Sequence, residues 1–68
     1  MRLTPVKLCR FERGVMQMVL AKRAAIACDR LSEIENGHAQ AHPDELQRIA
    51  AVLGVSLDAL CGVERRAA

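Results

Sequence analysis

The sequence predicts an all-α domain of five short helices, and three observations lead to it. Apolar residues recur three and four apart, most plainly Leu46, Ile49, Ala50 and Leu53, which is the spacing of one helical face. Gly14, Gly37 and Gly54 each stand just past such a stretch, where helices commonly end. Half of the chain is hydrophobic (51%), yet Phe11 is its single aromatic residue. A core of Leu, Ile, Val, Ala and Met suits small packed helices. With 68 residues, the chain makes one domain near the lower limit for a self-supporting core.

In chain order, the first helix is expected over about 5–13. Thr4 suits its N-cap and Pro5 its first position, and Gly14 ends it. Val6, Cys9 and Arg10 form one stripe, and Leu8, Phe11 and Val15 a second. The second and third helices are expected over 17–24 and 28–35. Neither has a capping side chain, since Met16 and Ala27 precede them. Each is too short to stand alone, so tertiary packing must hold both. Leu20 and Ala21 share a face of the second helix, and Leu31 and Ile34 share a face of the third. Ile26 lies in the corner between them, and Ala21 is small where the helices approach. Leu31 is expected between the second, third and fourth helices. A loop covers 37–42. The fourth helix spans 44–53, opened by Pro43 and Asp44. Ser56 caps a fifth over 57–61, with Asp58 near its positive end. Residues 1–62 thus form the domain and 63–68 a frayed tail.

The net charge of +2 is unevenly spread. Residues 1–23 hold Arg2, Lys7, Arg10, Arg13, Lys22 and Arg23 against Glu12, a balance of +5. Residues 24–62 hold Arg30 and Arg48 against six carboxylates, a balance of −4, and the tail adds +1. A basic face is therefore built by the first two helices and the tail. No apolar run approaches the ~18 residues of a membrane span, and no signal peptide is expected. Three scattered cysteines, Cys9, Cys28 and Cys61, argue against a disulfide framework and for a reducing cytoplasm. Cys61, His38 and His42 lack metal-ligand spacing, so no metal or other cofactor is expected. No phosphate loop, Ser/His/Asp set or paired carboxylates point to an enzyme.

The stretch Gln17 to Gly37 reads as a helix-turn-helix. Arg10, Gly14, Gln17, Leu20, Ala21, Leu31, Ser32, Ile34, Glu35, Asn36 and Gly37 match, in order and spacing, the phage repressor and Cro-type (XRE) helix-turn-helix family. Leu46, Ile49, Ala50, Leu53, Gly54, Val55, Ser56, Leu57 and Leu60 extend the match. The chain resembles that family over about residues 6–62.

The resemblance implies a compact lambda-repressor-like domain whose third helix lies in the major groove of double-stranded DNA. It places Cys28, Asp29 and Glu33 against base edges, with Arg30 and Ser32 alongside. It places Gln17 and the free N–H groups of the second helix on a phosphate. Asn36, His38 and Gln40 would contact the DNA backbone or flank, and Arg10 and Glu35 would form an internal salt bridge. It also implies a homodimeric regulator, a repressor or an antitoxin-type autoregulator. If His38 or His42 faces phosphates, affinity should rise as pH falls from about 8 to 6.

Some residues depart from the family's pattern. Asp29 and Glu33 are acidic where DNA should lie, although either can accept from cytosine N4. The loop after the third helix offers histidines and Gln40 where the family is often basic. Met18 and Val19 replace polar residues. With Phe11 and Met16, they motivate a second reading, a helix-turn-helix scaffold used to bind a protein partner.

Overall fold

A computed structural model describes residues 4–61. The tail, Arg2, Arg65 and Arg66 lie outside the described residues, as does any dimer contact made by that tail. Five helices follow in order: α1 (Pro5–Glu12), α2 (Gln17–Arg23), α3 (Cys28–Glu35), α4 (Pro43–Leu53) and α5 (Leu57–Cys61). No strand occurs among the described residues, so the architecture is all-α, as the sequence predicts. Three boundaries move by one residue. Arg13 and Ala24 are C-caps rather than helical residues, and α4 starts at Pro43. Proline is well placed at a first helical position because it has no N–H to leave unpaired.

The helix ends explain the path of the chain. Thr4 caps α1 by accepting from the Lys7 N–H (3.3 Å), and its hydroxyl donates to the Glu35 carbonyl (2.7 Å). One side chain thus starts α1 and fastens it to the end of α3. Met16 and Ala27 make no capping bond at α2 or α3. Three helices finish in the same way. After α1, α2 and α3 the chain turns through a left-handed residue, and paired N–H groups return to the last turn. Gly14 and Gly37 occupy that position after α1 and α3, and Ala25 occupies it after α2. At that corner the Ile26 N–H reaches the Ala21 carbonyl (2.9 Å), and the Ala25 N–H reaches that of Lys22 (3.3 Å).

The turn drives Ile26 into the core, where Leu20, Leu31 and Ile49 are fully buried. Val6 and Cys9 of α1 and Leu60 of α5 close it on the other side. Burying one such aliphatic side chain stabilises a domain by about 1.5–3 kcal/mol. α1 packs on α3 and α5, α2 packs on α3 and α4, and α4 packs on α5. Leu31 is fully buried in a core that also holds Leu20 of α2 and Ile49 and Leu53 of α4.

Candidate nucleic-acid interface

α3 divides cleanly by burial. At ~100° per residue, Leu31, Ile34 and Glu35 share one side, and all three are buried. Asp29 and Glu33 fall on the opposite side, Cys28 stands at the first position of the helix, and all three are exposed. Ser32 is half-buried beside them, and Asn36 follows, exposed, as the C-cap. The exposed side of α3 thus carries two carboxylates, and its exposed first turn a thiol. Asp29 also has a local reason to be there. It lies in the first turn of an uncapped helix, where a negative charge offsets the helix dipole.

Glu35 is the polar centre of the domain. It is fully buried and accepts from three donors. Arg10 donates through Nε to Oε2 (2.7 Å) and through Nη2 to Oε1 (3.1 Å). The Gln17 amide donates to the same Oε1 (3.0 Å). Arg10 is itself 7% exposed, and its Nη1 donates to the Val15 carbonyl (3.0 Å). Two parallel N–H···O contacts fix both partners in one plane. The pair joins α1 to α3, and Gln17 adds the start of α2. The Gln17 side chain is half-buried and held inward, which aims it at the junction of the three helices.

Asn36 is held by weaker contacts. Its carbonyl accepts from Lys7 Nζ (3.4 Å), and its amide donates to Ser32 Oγ (3.4 Å). Lys7 and Asn36 therefore stand together where α1 passes the end of α3. Lys7 and Arg10 also face the Phe11 ring, at 6.0 and 4.7 Å from its centre. The ring is 53% exposed.

Arg30 is turned away from the exposed side. Its Nε and Nη2 donate to Glu45 (3.3 and 3.0 Å), and Nη2 also donates to the Gln40 carbonyl (3.0 Å). Glu45 in turn accepts from the His42 N–H at the start of α4 (2.8 Å). The hydrogen bond from Arg30, reinforced by that from the His42 backbone, lowers the Glu45 pKa to about 2. The same bond to Glu45 raises that of Arg30. The family resemblance implies Arg30 at the flank of the DNA contact. In the structure its guanidinium links α3 to α4 and the loop. The side chains of His38, Gln40 and His42 are exposed, so that loop offers polar groups beside α3.

Glu45 and Thr4's second contact were not read from the sequence. Glu45 had a signal: it stands three residues after the residue preceding α4, the position from which a carboxylate reaches back to a helix start. The Thr4 hydroxyl to the Glu35 carbonyl spans 31 positions, and no local pattern encodes it.

Among the described residues, no three His, Cys, Asp or Glu side chains are placed to hold a metal ion. No described helix is long and apolar enough to cross a membrane. Among curated proteins, none matches the chain. Residues 10–60 match the family described as Helix-turn-helix, a span running from the arginine that pairs with Glu35 to the buried Leu60 of α5. The chain belongs to this XRE-type helix-turn-helix family of DNA-binding regulators.

Proposed function

We propose that the protein is a sequence-specific transcriptional regulator, a repressor or an antitoxin-type autoregulator, that binds as a homodimer with α3 in the major groove. The observation that carries this reading is the division of α3. Its inner side is locked by Leu31, Ile34 and the Glu35 cluster, while Cys28, Asp29 and Glu33 are free of the core. Eight residues at ~1.5 Å each make a rod of about 12 Å, which fits a groove about 12 Å wide. In this reading Cys28, Asp29 and Glu33 face bases. Ser32, Asn36, His38 and Gln40 line the backbone on either side, with Lys7 beside Asn36. At Gln17, whose amide is held by Glu35, the start of α2 offers its free N–H groups to a phosphate.

A second reading has its own support. Met16 and Met18 are each 69% exposed, and Phe11 is half-exposed. Such a surface suits a protein partner, with the acidic side of α3 as part of the contact.

One experiment separates the two. Asp29→Asn combined with Glu33→Gln removes two negative charges from the outer side of α3. In the DNA reading, random-DNA binding tightens, because phosphate electrostatics set that affinity. Operator binding weakens by about 1–3 kcal/mol for each carboxylate that accepts from cytosine. Both affinities are measured at one salt concentration on the upstream DNA of the protein's own gene and on a random duplex. No change in either would remove α3 from the groove and favour the protein-binding reading.

A further inference from the structure

α3 has a single cation, Arg30, among its eight residues. The ~100° step per residue sets it at the edge of the exposed side, between Glu33 and buried Ile34. Its side chain is 31% exposed, so its long arm has two courses open: outward towards a polyanion, or inward to α4. The structure takes the inward course. Two guanidinium nitrogens meet the two Glu45 oxygens in a forked pair, and one of them also reaches the Gln40 carbonyl.

We propose that Glu45 is a positioning residue that masks Arg30, withholding the one cation of α3 from DNA phosphates and pinning the 37–42 loop to the edge of that helix. The proposal rests on the reading that α3 enters the groove. Exposed ion pairs between mobile side chains contribute little, because ordering both chains costs entropy. Here both partners are already ordered. Glu45 is 9% exposed and held by the His42 N–H. Arg30 is held by a backbone carbonyl as well as by the carboxylate. A phosphate that drew Arg30 outward would have to replace two charge-assisted bonds and leave the carboxylate without its counter-charge. With Arg30 masked, α3 presents Asp29 and Glu33 to DNA uncompensated. Random sequence is then bound weakly, and affinity depends on the contacts that read bases.

The test is a salt series on a random DNA duplex with the full chain. Glu45→Gln keeps a side-chain carbonyl for the His42 N–H, so the start of α4 survives while the charge that holds Arg30 is lost. Random-DNA affinity should rise several-fold. The slope of log affinity against log salt should steepen by about 0.9 per protomer, the value of one added phosphate contact. Arg30→Gln in the wild-type background should leave the slope unchanged, and adding it to Glu45→Gln should restore the wild-type slope. A slope already reduced by Arg30→Gln alone, or unmoved by Glu45→Gln, would overturn the mask. A readout without DNA separates this failure from failure of the DNA reading. In the free protein the Arg30 Nε–H should be protected from solvent exchange, and Glu45→Gln should abolish that protection. Rapid exchange in the wild type overturns the clamp itself. Absence of DNA binding in every variant overturns the DNA reading and the mask with it, while a protected Nε–H still supports the clamp.

Discussion

At Ala25 the chain takes a φ of 57°, a conformation that costs a residue bearing a β-carbon about 1–2 kcal/mol. The same turn after α1 and α3 is made by glycine. Ala25→Gly removes the strain but loosens the unfolded chain, at a cost of about 0.4–1 kcal/mol. The net effect should be a stabilisation of about 0.5–1 kcal/mol, read as a melting midpoint higher by a few degrees. A lower midpoint would mean that the Ala25 methyl group contributes more than its backbone strain costs. The residue scale is also where the sequence conceals most. Gly14, Gly37 and Gly54 announce helix ends because their left-handed geometry is written in their chemistry. Ala25 adopts that geometry because Ile26 must reach the core, and nothing local says so. Glu35 offers a sharper measurement. Glu35→Gln leaves Arg10 buried without its counter-charge and should cost roughly 3–5 kcal/mol. A double-mutant cycle with Arg10 replaced by methionine should return strong coupling, since each single change strands the other partner. Zero coupling would reduce the pair to two independent packing residues.

Among elements, the Arg30–Glu45 pair ties α3 to α4 by charge, and this makes one part of the stability depend on acid. The Glu45 pKa is lowered to about 2 from an ordinary value of 4.5. A carboxylate with a depressed pKa in the folded state contributes stability that is fully present above its unfolded value. That contribution is lost as pH falls from about 4.5 through about 2. Urea midpoints for the wild type and for Glu45→Gln should therefore differ by a constant amount above pH 4.5 and converge towards pH 2. A difference that persists undiminished at the acid end would assign the effect of Glu45 to packing. The elements themselves were legible in the sequence, because caps, glycines and three-four spacing are local signals. The α3–α4 tie was not, because it needs Arg30 and Glu45 brought together across the loop. The division of α3 follows from periodicity, whereas the direction taken by Arg30 depends on tertiary contacts that periodicity does not contain.

The molecule as a whole measures 32 × 24 × 23 Å, and that size constrains how it can select a site. α3 offers three outward residues, Cys28, Asp29 and Glu33. At about 1–3 kcal/mol for each good base contact, three contacts give about 3–9 kcal/mol, so one helix reaches the middle of the range of about 4–10 kcal/mol that regulators show only if every contact is strong. Two copies related by a twofold axis double the contacts. Their third helices must then meet the same face of DNA, about 34 Å or one helical turn apart. Two domains of this size placed side by side can span that distance without a long connector. The operator should therefore contain two half-sites about 10–10.5 base pairs apart, centre to centre. Inserting about five base pairs between them turns the second half-site to the opposite face of the duplex. Affinity should then fall to that of a single half-site, and inserting a further five should recover only what a dimer two turns wide can reach. Band-shift titrations on the three spacings, with sedimentation of each complex, read the outcome directly. Equal affinity on all three, with one protomer per duplex, would mean that the domain selects its site alone and that its charge pattern serves another partner.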